Sequence, residues 1–437
     1  PALKLELFYS KKDILEMYLN TVSFGSNAYG IFTASKTYFN TTPDKLSYEQ
    51  SAVLVGLLKA ITKYNPYLNP ENSINRRNVV LSQLAGNKYI TPQVADSLKE
   101  IPLRLNYNIE KPNEGIAPYF RANLTRFLEK WGENNGYDIY ADGLKIYVTI
   151  DSRMQKYAEE AVRKQMRQLQ RNFFEHWSGQ NPWRDENGNE LKNFIPEIAK
   201  RTKVYRQLAT KYANNSDSIN KYMNIPRKMK VFDYDKGEKT VTMSPMDSIR
   251  YMNHFLHCGF LAMEPDTKYV KAWVGDVNYD YWQYDKVAQS KRQPGSTFKL
   301  FVYTAALIAG KSPCDKVEDK PFVWGTGKYA WRPKNANGGY SYADLSLKRA
   351  FAKSVNTVAA QLAKEVGIAN VAKCAHLLGI KSKLEEVPTL SLGASDVTLL
   401  EMVNSYSTIA GEGMYHSPII VTTIVAQHGS LLHEAKI

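Results

Sequence analysis

The sequence predicts a multidomain protein, in which a mostly α-helical N-terminal lobe precedes an α+β domain with an antiparallel sheet and helices. A chain of 437 residues is long enough for two or three domains with hydrophobic cores of their own. Residues 1–95 have helical patterns. Residues 259–275 (GFLAMEPDTKYVKAWVG) have the pattern of two strands around a turn, and helical segments follow them. Together these observations place the helical lobe first and the sheet second.

The composition predicts a globular protein with a basic surface. The chain has 57 basic and 43 acidic residues, which gives a net charge of +14. Such a surface suits an anionic partner, whether nucleic acid, lipid headgroups or a pyrophosphate, although it also serves solubility alone. The sequence has no zinc-finger spacing, no RNP-like aromatic motif and no long Lys/Arg run. We therefore predict that nucleic acid is not a partner.

The cysteines and histidines predict neither disulfides nor a metal site. Cys258, Cys314 and Cys374 are far apart and odd in number, so they encode no disulfide framework. His254 and His257 have a spacing that resembles a metal site, but apolar residues flank them on both sides. This context favours an ordinary edge of a strand or helix, and we predict no metal there.

The ends of the chain indicate a fragment. No stretch of 18 or more apolar residues occurs, so no membrane span is predicted within the sequence. The chain has no initiator Met and no signal peptide, and it opens inside a helical pattern. We therefore expect a fragment that has been cut at both ends.

The helices of residues 1–95 differ in their predicted burial. Ile14, Leu15, Tyr18 and Leu19 form an apolar stripe on one helix. Residues 52–61 (AVLVGLLKAI) are apolar on almost every side, which predicts a buried helix. A third helix is predicted to start near two adjacent arginines, discussed next.

Arg76 and Arg77 are candidate anion ligands. Paired arginines at a helix start can bind phosphate bidentately, although a solvated helix end is an equally good interpretation. Residues 96–145 then become rich in proline and extended pieces, which predicts a linker.

The linker leads into a third region, residues 146–437. Residues 144–150 alternate like a strand, and residues 151–177 form a long amphipathic helix. Residues 178–245 are polar and carry no recognisable chemistry. They predict an insertion whose surface docks a partner.

Residues 289–309 (QSKRQPGSTFKLFVYTAALIA) carry the strongest chemical signal. Pro294 and Gly295 break the preceding structure, and an apolar helix opens at Ser296. On this helix Ser296 and Lys299 lie one turn apart on the same face. A serine becomes nucleophilic when a base takes its proton, and a lysine whose pKa is lowered by burial or by another cation is such a base. Backbone N–H groups at the helix start also favour a developing oxyanion.

The Ser-x-x-Lys pattern alone does not show that Ser296 is a nucleophile. A second copy, Ser218–Lys221, lies in a polar stretch and is read as solvated surface. A helix N-cap serine with a surface lysine is the ordinary alternative at Ser296. Ser354-Val355-Asn356 follows later in the chain, where it opens a second apolar helix.

Two N-terminal stretches resemble the glycosyltransferase domain of class A penicillin-binding proteins. YSKKDILEMYLNTVSFGSNAYGI resembles the later half of that domain, and NPYLNPENSINRRNVVL resembles its closing motif. The resemblance implies a partial, mostly α, lysozyme-like lobe that acts on lipid II. It implies substrate-binding or supporting roles for Glu16, Asn20, Arg76 and Arg77, and it allows a divalent cation for the glycosyltransferase of the intact protein. The family's principal catalytic glutamate lies upstream of the matching region and is absent from this sequence.

The later motifs resemble the transpeptidase domain of the same family. The hairpin, Gln-Pro-Gly-Ser-x-x-Lys, Ser-x-Asn and Leu-Gly-Ala-Ser-Asp-Val-Thr occur in the family's order. The resemblance implies an α+β penicillin-binding or serine β-lactamase-like fold and a serine acyl-enzyme that needs no cofactor. It assigns Ser296 as nucleophile and Lys299 as base, with the lysine kept neutral by other positive charge. Ser354 is then the proton shuttle, and Asn356 holds the substrate amide and the lysine.

One element of the family pattern is absent. The sequence contains no Lys-Thr-Gly, which in the family supplies the edge strand of the site. Trp324-Gly-Thr-Gly-Lys328 is no substitute, because its order differs and it precedes Ser-x-Asn. We therefore expect the C-terminal part of the domain to be missing and this fragment to be incomplete for both activities.

The resemblance also implies partners and a location. Lipid II, nascent peptidoglycan and β-lactams are the expected ligands, and cell-wall machinery proteins are further candidates. A missing N-terminal segment is expected to anchor the protein in the cytoplasmic membrane, with the catalytic domains on the periplasmic or extracytoplasmic side. Two alternatives stay open: a non-catalytic cell-wall scaffold that binds through residues 178–245, and a hydrolase of the D,D-carboxypeptidase or β-lactamase type.

Overall fold

The computed structural model describes residues 2–26, 28–107, 115–327 and 330–436. Asn27, in the loop that resembles the glycosyltransferase motif, and Lys328 lie outside the described residues. The chain divides into two compact units, Pro1–Glu114 and Gly115–Ile437. The predicted linker, residues 96–145, is divided between these two units.

The first unit is helical in the part that the structure describes. A short 3₁₀ turn, Pro43–Lys45, lies among its helices. The helices are α1 Ala2–Phe8, α2 Lys11–Thr21, α3 Gly30–Phe39, α4 Tyr48–Leu57, α5 Pro70–Gly86 and α6 Pro92–Lys99.

The core of the first unit forms around α3 and α4. Tyr38, Leu54 and Leu57 are completely buried there together with Phe24 from the loop before α3. The buried helix predicted over residues 52–61 overlaps α4 only as far as Leu57, and Val55 within it is 51% exposed. The predicted stripe on α2 is only partly covered, because 56% of Leu15 is exposed. Burial therefore increases from α2 towards α4.

The second unit combines helices with small antiparallel sheets. Its helices include the long α8, which confirms the amphipathic helix predicted over residues 151–177. They are α7 Pro118–Asn135, α8 Ser152–His176, α9 Phe194–Arg201, α10 Lys203–Lys211, α11 Ser216–Met223, α12 Pro245–Met252, α13 Lys299–Ile308, α14 Leu347–Ala352, α15 Asn356–Val366, α16 Ile368–Leu377 and α17 Leu399–Ala410.

The strands pair antiparallel in five small sheets among the described residues: β1–β10–β11, β2–β3, β4–β5, β6–β9 and β7–β8. The strand and hairpin predicted over residues 144–150 and 259–275 are confirmed as β1 and β4–β5. The strands are β1 Lys145–Val148, β2 Arg227–Asp233, β3 Gly237–Met243, β4 Phe260–Met263, β5 Val270–Val274, β6 Lys291–Arg292, β7 Lys316–Glu318, β8 Asp344–Ser346, β9 Val397–Thr398, β10 Val421–Val425 and β11 Leu431–Glu434.

The largest apolar cluster of the second unit forms where α13, α15 and α16 pack together. Phe298, Phe301, Val358, Leu362 and Ala375 are completely buried there. Burial of aliphatic and aromatic side chains is the main favourable contribution to folding, so this packing holds the starts of α13 and α15 in fixed positions.

Residues 178–245 form helices α9–α11 and the β2–β3 hairpin. The helices share a small core in which Ala199, Ile219 and Met223 are buried. This segment is therefore folded around its own apolar contacts. None of the described helices combines the length and the apolar character needed to cross a bilayer.

Candidate active site

Ser296 lies at an exposed turn immediately before α13. Gly295 has a φ of +57°, a conformation that favours glycine, and it opens a 3₁₀ turn over Gly295–Phe298. Lys299 then begins the α-helix. The backbone N–H groups of a first helical turn have no intrahelical acceptors, so they can interact with a group bound near the Ser296 hydroxyl.

Gly393 supports this turn by close backbone contact. The Gly295 N–H donates to the Gly393 carbonyl oxygen over 3.3 Å. Gly393 has a φ of +77°, and a Cβ there would come within 2.2 Å of the Gly295 carbonyl oxygen. On the other side of the turn, Tyr406 Oη donates to the carbonyl oxygen of Thr297 over 2.8 Å. The position of Ser296 is therefore fixed by contacts from distant parts of the chain.

Lys299 brings three of the predicted residues together. Its side chain is 1% exposed, because the start of α13 packs into the apolar cluster. Its Nζ donates to the Ser354 carbonyl oxygen at 2.7 Å, to Ser354 Oγ at 3.0 Å and to Asn356 Oδ1 at 2.5 Å. The lysine of Ser-x-x-Lys is thus held by both polar residues of Ser-x-Asn.

Burial lowers the pKa of Lys299 from 10.5 to about 8. Desolvation disfavours the charged ammonium, and this is the cause of the shift. Burial is one of the two causes that the sequence allowed for this lowered pKa; the neighbouring positive charge that the family resemblance implied is not among the causes. A lysine with this pKa has a substantial neutral fraction near neutral pH, as a general base needs.

The Ser296 hydroxyl is not among the hydrogen-bond acceptors of the Lys299 ammonium. The three acceptors belong to Ser354 and Asn356, although Ser296 lies one turn before Lys299. Catalytic hydrogen bonds are often made only when substrate binds. The transfer of a proton from Ser296 to Lys299 therefore stays a prediction.

Ser354 has a strained backbone. Its φ is +53°, an uncommon value for a residue with a side chain. It follows α14, where its N–H donates to the Phe351 carbonyl oxygen and that of Val355 donates to the Ala350 carbonyl oxygen. These bonds resemble those that end many helices, and they aim the Ser354 carbonyl and hydroxyl at Lys299.

Ser354 also borders a cavity. A cleft of about 450 Å³ is lined by residues that include Ser354, Lys353, Asn335 and Asp344, but by neither Ser296 nor Lys299. Ser354 itself is exposed, so a bound molecule can reach this residue. Three residues behind Asn356 were missed by sequence reasoning: Asp319, Asn335 and Thr357. Their contacts join distant segments, and no local spacing identifies them.

The glycosyltransferase-like candidates occupy the first unit. Glu16 and Asn20 are exposed on α2. Arg76 is half-buried, and its guanidinium lies 5.9 Å from the ring centre of Tyr64. The substrate roles assigned to these residues stay predictions.

Arg77 has contacts that favour a structural role over the predicted substrate role. It is 1% exposed, and its Nη1 and Nη2 donate to the carbonyl oxygens of Ile101 and Lys99 over 2.6 and 2.7 Å. These hydrogen bonds occupy the guanidinium N–H groups with which an arginine would bind a phosphate bidentately. The prediction also placed the arginines at a helix start, whereas α5 begins at Pro70 because proline fits the first helical position.

His254 and His257 have separate partners. The Nδ1 of His254 lies 2.8 Å from the Arg250 carbonyl oxygen, and that of His257 lies 2.7 Å from Asp276 Oδ2. In the part of the chain that the structure describes, no group of three or more His, Cys, Asp or Glu residues is arranged to hold a metal ion.

Comparison with known protein families matches three successive regions of the chain. Residues 1–85 match the Transglycosylase model, and residues 178–256 match the Penicillin-binding protein middle domain. Residues 258–436, which contain Ser296, Lys299, Ser354 and Asn356, match the Penicillin binding protein transpeptidase domain. The segment interpreted as an insertion is therefore similar to a region found in other proteins of this kind.

Two curated relatives are similar to this chain over nearly its whole length. Penicillin-binding protein 1A of Aquifex aeolicus is 29% identical over 99% of this chain, and the protein of the same name from Neisseria flavescens is 30% identical over 98%. This chain belongs to the class A penicillin-binding proteins. It spans 59% and 56% of the lengths of those two relatives.

A solved structure confirms the predicted fold class of this penicillin-binding protein. The crystal structure of Penicillin-Binding Protein 1A from Haemophilus influenzae aligns with a TM-score of 0.61 and 24% identity. The alignment covers 98% of this chain and 65% of the other. The fold of this chain is thus one that a solved structure already shows.

Proposed function

We propose that the intact protein synthesises the bacterial cell wall, and that its second unit cross-links peptidoglycan stem peptides as a serine D,D-transpeptidase. The observation that carries this proposal is the environment of Lys299. It is a buried amine with a pKa of about 8, one turn from an exposed serine and in contact with Ser354 and Asn356. A general base with access to a nucleophile and a proton relay is what acyl transfer through serine requires.

In the proposed acylation step, Ser296 Oγ attacks the carbonyl carbon of the penultimate D-Ala of a stem peptide. Lys299 Nζ takes the hydroxyl proton as the new C–O bond forms. Ser354 donates its hydroxyl proton to the nitrogen of the terminal D-Ala, which leaves when the C–N bond breaks, and regains a proton from the Lys299 ammonium. The Ser296 backbone N–H stabilises the oxyanion, and one such donor lowers the barrier by about 3–4 kcal/mol.

In the second step, the amine of a neighbouring stem attacks the ester carbonyl. The new amide is the cross-link; the ester C–O bond breaks, and the proton that the amine loses passes through Lys299 to Ser296 Oγ. A β-lactam follows the first step only, because its strained amide mimics the D-Ala-D-Ala bond but its leaving group stays attached. This scheme uses side chains and backbone groups and needs no cofactor.

We propose that the first unit contributes to polymerisation of lipid II in the intact protein. The match of residues 1–85 to the Transglycosylase model supports this role. Glu16, Asn20 and Arg76 are exposed or half-buried and therefore remain candidates for substrate contact or support. A divalent cation for this activity, a membrane anchor, an extracytoplasmic location and contacts with cell-wall machinery are further parts of the proposal.

Labelling with fluorescent penicillin tests the nucleophile. The intact protein is used, because this sequence holds no Lys-Thr-Gly to complete the oxyanion site. We expect covalent labelling of the wild type, none of Ser296→Ala and full labelling of Ser218→Ala. Ser218 is a matched control because its partner in the second Ser-x-x-Lys, Lys221, is exposed, whereas Lys299 is buried. Normal labelling of Ser296→Ala contradicts the assignment.

The two alternatives make different predictions in the same experiments. A non-catalytic scaffold is not labelled at all. A hydrolase is labelled, but it releases D-Ala from stem peptides without forming cross-linked dimers. The presence of a transglycosylase-family region in the same chain supports synthesis over hydrolysis, because a hydrolase gains nothing from a polymerising domain.

A further inference from the structure

The side-chain amide of Asn356 has one productive orientation. Its Oδ1 accepts from the Lys299 ammonium, and its Nδ2 donates to the Lys334 carbonyl oxygen over 2.8 Å. If the amide turned by 180°, the NH₂ group would face the ammonium, and the oxygen would face a carbonyl oxygen. Both contacts would then be repulsive. The carbonyl of Lys334 thus selects the rotamer that binds Lys299.

The backbone of Asn356 is held by Asn335, the residue that follows Lys334. Asn356 is the first residue of α15, and the residue before it, Val355, provides no side-chain cap. Asn335 Oδ1 accepts instead from the N–H groups of Asn356 and Thr357, over 3.0 and 3.3 Å. Caps of this kind satisfy the free N–H groups of a helix start. Here the cap comes from a distant segment.

Asp319 fixes the orientation of this cap. It is 4% exposed, and its Oδ1 accepts from Asn335 Nδ2 over 2.8 Å and from Thr357 Oγ1 over 2.6 Å. Its Oδ2 accepts from the N–H and hydroxyl of Ser341, both over 2.8 Å. Because Asn335 Nδ2 is bound to the carboxylate, its Oδ1 must face α15.

The charge of Asp319 is stabilised where it lies. Burial raises the pKa of the carboxyl, but the hydrogen bonds from Thr357, Ser341 and Asn335 outweigh it and hold the pKa below its ordinary value. The carboxylate also lies beside the positive end of the α15 dipole, through Thr357 and Asn335. An ionised acceptor makes stronger hydrogen bonds than a neutral one.

We infer that Asp319, Asn335 and Thr357 are positioning residues of the transpeptidase site, acting on Lys299 through Asn356. The inference rests on the proposed function. The three side chains fix the start of α15 and the amide of Asn356, and that amide sets the position of the base. Small displacements of a base are costly, because proton transfer needs close alignment.

Thr357 offers a matched pair of variants. Thr357→Val keeps the shape and loses the hydroxyl, whereas Thr357→Ser keeps the hydroxyl. In the intact protein we expect Thr357→Val and Asn335→Ala to slow the acylation step at saturating penicillin roughly tenfold, with half-saturation nearly unchanged. We expect Thr357→Ser and the exposed control Thr210→Val to stay near the wild-type rate. Rates refer to the protein fraction that titrates with penicillin, so a misfolded fraction does not affect them.

A double-mutant cycle separates positioning from general support. If Thr357 acts through Asn356, Thr357→Val slows acylation roughly tenfold in the wild type and has almost no further effect in Asn356→Ala. Equal effects in both backgrounds, or a wild-type rate in Thr357→Val, overturn the inference. Failure of the wild type to react with penicillin instead overturns the proposed function.

Discussion

Two buried lysines of the second unit have nearly the same immediate contacts. Lys268 and Lys299 are each 1% exposed. Lys268 Nζ lies 2.8 Å from the carbonyl oxygen and 3.2 Å from the hydroxyl of Ser407, and Lys299 makes the same pair of contacts with Ser354 at 2.7 and 3.0 Å. Burial lowers the pKa of both amines. Burial and a serine partner therefore do not distinguish a base from a structural lysine.

Lys268 and Lys299 differ in the third hydrogen-bond acceptor of the ammonium and in the exposure of the serine partner to solvent. Lys268 donates to the carbonyl oxygen of Pro265 in the β4–β5 turn, and Ser407 is buried in α17. This ammonium therefore ties a turn to a helix through backbone groups. Lys299 donates to a side-chain amide, and its Ser354 is exposed beside a cleft. A base needs contact with groups that substrate can reach, and the serine partner is exposed at Lys299 but buried at Lys268.

Replacement of Lys299 tests the catalytic side of this comparison and has the largest expected effect. Lys299→Met keeps most of the side-chain volume and removes the amine. We expect penicillin acylation of the intact protein to fall by about 10²–10⁴-fold, the usual contribution of a general base. The melting temperature should hold or rise, because a costly buried charge is removed and water can reach Ser354. Acylation within twofold of the wild type would exclude Lys299 as the base.

The pH dependence of acylation has the next largest expected effect. Only neutral Lys299 accepts a proton, so the rate should rise with pH and level off above about 8. Well below that value the rate should fall about tenfold per pH unit. Stopped-flow measurement with fluorescent penicillin checks this, and the profile should persist in Lys268→Met. A flat profile between pH 6 and 9 would contradict the prediction.

The same pKa shift has a consequence for stability. Lys299 titrates near 8 in the folded protein and near 10.5 as a free side chain. Between these values the unfolded chain binds more protons, so the contribution of this group to stability rises with pH. Burying the ammonium is therefore a cost below about pH 8 that fades as the pH approaches 10.5.

The sequence predicts the parts of this site that depend on local spacing. Ser296 and Lys299 lie one helical turn apart, so their pairing is visible in any helical pattern. Ser354 and Asn356 are identified by resemblance to a family motif, and α15 begins at Asn356 as that motif predicts. Helical periodicity and short motifs are local properties of the sequence, so they can be recognised without a structure.

The parts that the sequence does not predict depend on contacts between distant segments. Gly393 supports the turn at Gly295, and Asp319 binds Thr357, across long stretches of chain. The pKa of Lys299 also depends on such contacts: the sequence allowed burial or another cation as the cause of its lowering, and tertiary packing makes burial the cause. Arg77 is the opposite case. It belongs to a motif that predicted substrate binding, but its N–H groups donate to backbone carbonyl oxygens within the chain.

Replacement of Lys268 tests the structural side of the comparison and has the smallest expected effect on activity. Lys268 has a φ of +59°, which is unfavourable for lysine and methionine alike. This backbone strain therefore does not contribute to the difference in stability between Lys268→Met and the wild type. The change leaves the carbonyl oxygen of Pro265 without the Lys268 donor, whereas the Ser407 carbonyl oxygen still accepts from the Gly411 N–H. An unsatisfied buried group costs about 1–3 kcal/mol, which should lower the free energy of unfolding by that amount.

The acylation rate of the folded Lys268→Met fraction should match the wild type, because no contact of Lys268 reaches the residues around Ser296 directly. Chemical denaturation with penicillin titration measures both quantities on one sample. Lys164→Met, on the exposed face of α8, is the matched control and should change neither. Suppose instead that Lys268→Met slowed acylation as much as Lys299→Met and did not lower the stability. Burial alone would then not separate a structural lysine from the catalytic base, and the proposed distinction between Lys268 and Lys299 would be wrong.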